Sequence, residues 1–260
     1  MNKKSSGTHE WAVKSVNFST GCSNNCRYCY ARQMASRFRQ VSDEDWATPR
    51  IRQHDVDKRH RNYGETVMFP SSHDLTPENL APALIVLGKL LRAGNRVLVV
   101  SKPHLEVIRA ICDQFGEYRQ NILFRFTITA TDDAILAFWE PGAPSYEERR
   151  EALAYAFDAG FETSVSVEPM LDAENIDQLV ADLEPRASHS IWIGKLNYLG
   201  RIKVDGPEVE AELERIRAGQ TDEQIMAIYN RHRDNPVIRW KGSIKDIVGI
   251  ERAPKPGMDI

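Results

Sequence analysis

The chain has little cysteine, four residues in 260, and no apolar run long enough to act as a transmembrane helix, which needs about 20 residues. It also lacks an excess of charge of either sign: 34 Lys and Arg against 37 Asp and Glu leave a net charge of −3. Scarce cysteine argues against a disulfide-stapled scaffold, and the hydropathy argues against a helical membrane span. Balanced charge removes any general pull toward nucleic acid or membrane, but not a local basic face. No repeat, low-complexity segment or linker interrupts the chain, so one compact unit is the economical reading. The opening MNKKSSGTHEW carries charge with no hydrophobic segment behind it, unlike a signal peptide, and reads as a flexible tail over 1–11. The expected compartment is the cytoplasm, where thiols stay reduced and clustered cysteines more often bind metal or catalyse.

What is present is ordinary globular composition, 42% hydrophobic and 27% charged, arranged as alternating segments of two kinds. Short β-branched or aromatic runs occur at 12–18, 66–69, 96–100, 122–129, 162–167 and 190–194. Between them lie stretches of helical spacing. One runs through Leu80, Leu84, Leu87, Leu90 and Leu91, opened by Thr76-Pro77-Glu78 as N-cap, first-turn proline and acid. Others run from Leu105 to Phe115 and from Ser145 to a stop at Gly160, with further helices expected at 173–184, 207–218 and 221–233. This alternation predicts an α/β fold with parallel strands and right-handed crossovers. About six βα units are expected, a partial TIM-like barrel rather than the closed one of eight. The expected organisation is a barrel over 12–205 and a helical and strand extension over 206–260 packed on it. PVIRW (236–240) is a final strand that extends one edge or belongs to a cap. The stretch 37–62, with Arg37, Arg39, Arg50, Arg52, Lys58, Arg59 and Arg61 diluted by acids, reads first as a solvated mixed-charge loop.

Three of the four cysteines fall in GCSNNCRYC: Cys22, Cys26 and Cys29, spaced C-x3-C-x2-C at the end of the first strand. Thiolates are soft ligands for iron–sulfur clusters, zinc or copper(I). Structural zinc takes four ligands, usually as two separated pairs, and His9 or His54 is the local candidate to complete such a set. Iron–sulfur clusters usually take four cysteines. The remaining one, Cys112, sits on the apolar face of a helix, where buried cysteine is packing. A triad without a fourth thiol leaves one metal position open, as catalytic sites do.

Cys22-Ser-Asn-Asn-Cys26-Arg-Tyr-Cys29, with Tyr28 before the last cysteine, resembles the signature of the radical S-adenosylmethionine (radical SAM) enzymes. The resemblance implies a partial barrel of six βα units and a [4Fe–4S] cluster on the three cysteines. The methionine amino and carboxylate groups of S-adenosylmethionine would chelate the fourth iron. Reductive cleavage of the sulfonium would give methionine and a 5′-deoxyadenosyl radical that abstracts hydrogen, with an external flavodoxin- or ferredoxin-like electron donor.

Later segments are similar to the spore photoproduct lyase-like branch: FPSSHDLTPEN (69–79), VSKP (100–103), TITATDD (127–133), WEPGAPSYEERREAL (139–153) and SVEPMLDAEN (166–175). They imply Tyr28 beside the adenine and Ser71, Ser72, His73 and Asp74 near the amino group. They further imply Lys102 on the carboxylate, and Thr127 and Thr129 toward carboxylate or ribose. Backbone near Val167–Glu168 and Ile193–Gly194 would flank the adenine. Two of these residues also have local readings: Asp74 as the cap of the helix near Pro77, and Arg149 as a structural tie to Glu140. Photoproduct lyase uses a cysteine after strand two as hydrogen-atom donor, and Ser71 stands at or near that place, so repair by the same route is not expected.

For the substrate, GKLNYLGRIK (194–203) and VIRWKGSIK (237–245) are basic with interleaved Tyr198 and Trp240. With 37–62 they suggest a positive, stacking-capable face for nucleic acid, and the substrate classes of the leading reading are a nucleic acid, a nucleotide or a protein side chain. The competing readings are a non-catalytic iron–sulfur electron-transfer protein and a zinc-binding nucleic-acid module.

Overall fold

A computed structural model describes residues 7–38 and 41–260. The strands are β1 (Lys14–Ser15), β2 (Ser19–Thr20), β3 (Arg50–Ile51), β4 (Val67–Phe69), β5 (Val97–Ser101), β6 (Ile122–Thr127), β7 (Glu162–Val167), β8 (Ser190–Ile193) and β9 (Ile238–Trp240). The helices are α1 (Tyr30–Arg37), α2 (Gln53–Asp57), α3 (Leu80–Arg92), α4 (Leu105–Gln114), α5 (Asp133–Trp139), α6 (Tyr146–Asp158), α7 (Ile176–Leu183), α8 (Pro207–Gly219), α9 (Asp222–His232) and α10 (Gly242–Val248).

Seven strands form one parallel sheet in the order β1-β4-β5-β6-β7-β8-β9. The six expected strands are therefore joined by a seventh: the PVIRW segment pairs parallel with β8 and extends the edge. Side chains alternate across each strand. Val97, Val99, Phe124, Phe126, Val165 and Ile191 join the main core with residues of α3, α4, α6 and α7. Met68, Leu98, Leu123 and Trp192 form a separate inner cluster with Trp11.

Local signals set the helix ends. Thr76 and Asn79 form a capping box ahead of α3, Ser145 accepts from the Glu148 N–H at the start of α6, and Gly160 follows α6 at φ +78°. The short α5, capped by Asp132, was not expected. Its AILAFW run is too brief to show a helical period.

The sheet edges β1 and β9 do not pair, and the segment before β1 bridges them. The Glu10 carboxylate accepts from the Gly242 N–H at 3.0 Å and lies 3.4 Å from Lys241 Nζ. The Gly257 and Asp259 N–H groups donate to the His9 and Glu10 carbonyls. Trp11, 5% exposed, has the Arg125 guanidinium 4.5 Å from its ring centroid and the Lys241 ammonium 3.8 Å from it. The expected flexible tail is corrected over 7–11, which is folded because buried charge and an aromatic ring lock it; residues 1–6 of that expectation lie outside the described residues.

The 37–62 stretch is corrected too. Val41, Trp46 and Val56 are buried, and Arg52 donates to the Ser19 and Asn17 carbonyls and to Thr20 Oγ1. Arg50 and Arg52 pair with Asp45 and Asp55, which takes these two cations out of the expected positive face; Arg39 lies outside the described residues.

Candidate active site

A cavity of about 820 Å³ opens at the carboxyl ends of the strands, and Cys22, Cys26 and Cys29 all line it. Two close backbone approaches shape the cysteine loop. Gly21 (φ +89°) lies where a Cβ would come within 2.8 Å of the Trp46 carbonyl oxygen, and the Cys22 N–H donates to that same oxygen at 2.9 Å. At Gly142 a Cβ would meet the Ser23 carbonyl oxygen at 2.1 Å, while the Gly142 N–H donates to Asn24 and the Arg27 N–H to Trp139. The 42–49 segment and the α5–α6 loop thus grip the loop from two sides. Cys29 caps α1, its sulfur accepting from the Arg32 N–H at 3.4 Å.

Burial, helped by the Asp74 charge, pushes the Cys22 thiol up to about 12. Burial also raises Cys26 well above the usual thiol range, and Cys29 above it. Such thiols stay protonated until a metal replaces the proton. Three soft donors facing one cavity fit an iron–sulfur cluster. Cys112, 5% exposed, lies in the main apolar core instead. His54 is exposed and paired with Asp55, whereas His9 does line the cavity. Among the described residues no three Cys, His, Asp or Glu side chains converge on a single ion.

Next to the thiols sits a buried ion pair. Asp74 Oδ1 accepts from Ser101 Oγ at 3.0 Å and from the Lys102 N–H at 2.8 Å. Its Oδ2 accepts from Asn24 Nδ2 at 2.9 Å and lies 3.6 Å from Lys102 Nζ. Burial works against the carboxylate, but Lys102 and these hydrogen bonds together hold Asp74 below the usual range. Lys102 also overcomes burial through Asp74 and is held well above the usual lysine range. Asp74 is therefore not the helix cap, a role the Thr76–Asn79 box takes.

A second buried network backs the loop. The Tyr28 hydroxyl donates to Glu140, Thr129 Oγ1 donates to Glu140 Oε1 at 3.1 Å, and Arg149 Nη1 lies 2.6 Å from Glu140 Oε2 with both side chains fully buried. The Arg149–Glu140 tie is as expected, and it anchors the signature tyrosine.

Of the other expected cofactor-binding residues, Tyr28, Ser72, Lys102, Thr127 and Glu168 line the cavity. Thr129 does not. β6 ends at Thr127, so the alternation that would place both threonines on one face stops there, and Thr129 is buried against Glu140. His73 borders the cavity but has no free nitrogen: Nε2 accepts from the Phe18 N–H at 3.3 Å, which leaves Nδ1–H for the Asp74 carbonyl at 3.1 Å. Burial pushes it down to about 4, so His73 is a neutral brace rather than a ligand. Burial raises the Glu168 carboxyl, with Lys241 at 3.3 Å opposing.

Asn17 was missed: its Oδ1 accepts from the Ser71 and Ser72 N–H groups at 2.8 and 3.0 Å. Also missed were Asn24, legible only as part of the signature, and Trp11. The basic segments separate. Lys195, Tyr198 and Arg201 reach the cavity mouth, but in 237–245 Trp240 and Lys241 are buried and Lys245 pairs with Asp259. That half of the expected positive face is corrected: β9 belongs to the sheet, and of the segment's three cations only Arg239 is exposed.

Residues 16–184 match the family model of the Radical SAM superfamily. An uncharacterized protein, ORF301, of Acidianus two-tailed virus is 26% identical over 187 residues, 67% of this chain and 60% of that protein. The chain thus spans about 60% of the length of this curated relative. Among solved structures, a mutant spore photoproduct lyase with dinucleoside spore photoproduct superposes with a TM-score of 0.54 at 14% identity, covering 92% of this chain and 79% of that one. Streptococcus suis SuiB bound to precursor peptide SuiA superposes with a TM-score of 0.56 at 12% identity, covering 94% and 54%. At these identities the likeness is one of fold. No helix among the described residues is long and apolar enough to cross a membrane.

Proposed function

This chain belongs to the radical SAM superfamily and is an enzyme, and we propose that its Cys22, Cys26 and Cys29 hold a [4Fe–4S] cluster while the rest of the cavity binds S-adenosylmethionine. When bound, the cluster and cofactor would supply one-electron reductive cleavage of the sulfonium and, through it, hydrogen-atom abstraction from substrate. The electron comes from a flavodoxin- or ferredoxin-like donor in the cytoplasm.

The protein's own groups divide the binding work. Lys102 presents an ammonium to the carboxylate, and Asp74 holds it in place. Asp74 and the Ser71–Ser72 turn offer acceptors to the amino group. Thr127 and Glu168 face the cavity from neighbouring strand ends, where a hydroxyl and a carboxylate suit the ribose. Tyr28, fixed through Glu140, supplies a flat wall for the adenine.

The observation that carries this reading is two buried thiols, Cys22 and Cys26, and the half-buried Cys29 beside the Asp74–Lys102 pair in one cavity, with the fourth cysteine in the outer core. Among the described residues no thiol outside the triad lines the cavity, so the proposal includes no cysteine hydrogen-donor step.

The test is anaerobic reconstitution with iron and sulfide, then dithionite and S-adenosylmethionine, with nucleosides separated by chromatography. Formation of 5′-deoxyadenosine, lost in Cys26→Ala, is expected. A protein that retains zinc and takes up no iron overturns the reading, as does a loaded cluster that coordinates a fourth protein ligand and binds no S-adenosylmethionine.

A further inference from the structure

The cavity is reached from its mouth, because the Gly7–Ala12 segment bridges the open side of the barrel and the 257–259 backbone bonds to it. The mouth has a distinct chemistry. Arg37, Lys195 and Arg201 line it and make no ion pair among the described residues. The carboxylates lining the cavity, Asp74 and Glu168, lie deeper and are each paired with a lysine. Tyr30 and Tyr198 stand beside these cations, 51% and 67% exposed.

Tyr198 is presented rather than packed. Its backbone is left-handed, φ +58°, a conformation uncommon for a bulky residue. Beneath its ring the Arg201 guanidinium lies 4.3 Å from the centroid. Across the mouth, Gln33 of α1 donates to the Arg201 carbonyl at 3.4 Å, which holds this platform beside the cysteine loop.

Free cations at a rim attract a polyanion. A ring stacked on a guanidinium offers the flat surface on which bases bind irrespective of sequence. An acidic peptide would satisfy the cations but leave the ring platform without a stacking partner. We propose that the mouth takes a single-stranded nucleic acid, seating one unpaired base on Tyr198 and Arg201 with its neighbouring phosphates on Arg37 and Lys195. A duplex cannot enter a cavity closed at its side, so its base must leave the stack first. This deepens the radical SAM reading and rests on it for the chemistry after binding, but the binding itself does not require the cluster to react.

The experiment is fluorescence anisotropy with the anaerobically reconstituted protein and S-adenosylmethionine. The probes are labelled single-stranded DNA and RNA of about 12 nucleotides, within the usual footprint of one binding groove, the matching duplex, and a labelled polyglutamate peptide. Single strands are expected to bind more tightly than duplex, with affinity falling as salt rises; the two single strands tell DNA from RNA. Tyr198→Asn keeps the left-handed backbone accessible and removes the ring, and with Arg201→Gln it should weaken binding by about tenfold or more. Because a loop variant can refold locally, a 4-thiouridine oligonucleotide photo-crosslinked to the unaltered protein should attach within the 195–202 peptide. Equal binding of duplex and single strand, tighter binding of the peptide, unchanged affinity in both variants, or a crosslink elsewhere overturns the proposal. Cys26→Ala separates the two readings. Strand binding that persists without cleavage supports this one, and cleavage by the unaltered protein without strand binding overturns this one alone.

Discussion

Removing the Arg149 guanidinium tests the network behind the cysteine loop. Arg149 and Glu140 are fully buried with Nη1 and Oε2 2.6 Å apart. At an effective dielectric near 20 that contact is worth roughly 6 kcal/mol of attraction. In Arg149→Met the carboxylate keeps the Tyr28 and Thr129 hydroxyls, so the net loss should be about 3–5 kcal/mol, as for other broken buried pairs. With a denaturant slope of a few kcal/mol per molar, the urea midpoint should fall by roughly 1–2 M.

The pH dependence gives a second readout. Burial opposes ionisation of Glu140, but Arg149 and then Lys102 hold it below the usual range. A depressed carboxyl contributes stability above its unfolded pKa and loses it as pH falls through the folded one. Without Arg149 the main opposition to burial is gone and the carboxyl rises. The variant's loss should then be smaller at about pH 5 than at about pH 8. Glu140→Gln in the same chain should recover more than about 1 kcal/mol, because no uncompensated charge remains. A loss below about 1 kcal/mol, or a double variant as unstable as the single, would refute the buried-charge argument.

The site itself sets three more outcomes. Lys102→Met should weaken S-adenosylmethionine binding to the reconstituted protein by about tenfold to a hundredfold in equilibrium dialysis, the scale of one hydrogen bond to a charged group. An unchanged affinity would remove Lys102 from the carboxylate. His73 is held down to about 4 by burial, so the unfolded chain takes up a proton near pH 6.5 that the folded one refuses. Stability should drop as pH falls from about 6.5 to 4, by about 3 kcal/mol at the lower end; a His73→Gln urea midpoint that retains the whole drop would contradict this. Gly142→Ala must move Ser23, whose carbonyl oxygen is 2.1 Å from the new Cβ, at a cost of about 1–3 kcal/mol. It should lower iron bound per chain, whereas Gly116→Ala, with nothing within 4 Å, should not.

Much of the fold was legible because it is written in local periodicity. Short β-branched or aromatic runs such as Ile122–Thr127 and period-3.6 runs such as Leu80–Arg92 name their own elements, and their alternation implies parallel pairing. The metal triad was legible for a similar reason: three thiols within one short loop stay close whatever the rest of the chain does. Thr129 shows the limit of such reasoning. The alternation holds along β6, but where the strand stops depends on partners that the run itself does not contain.

The sequence alone determined the thiol cluster, the strand-and-helix order and the Arg149–Glu140 tie between neighbouring elements. Tertiary structure decided that Asp74 holds Lys102 rather than a helix end, that His73 spends both nitrogens on backbone, and that Lys241 and Lys245 of the 237–245 basic run are interior. It also decided that residues 7–11 bridge the barrel edges, through contacts such as Lys241 Nζ to the Gly7 carbonyl across 234 positions. Those contacts have no local period to announce them. They exist because the segment before the first strand reaches across to the residues that follow the last one, and buried charges then take whichever partners that packing delivers.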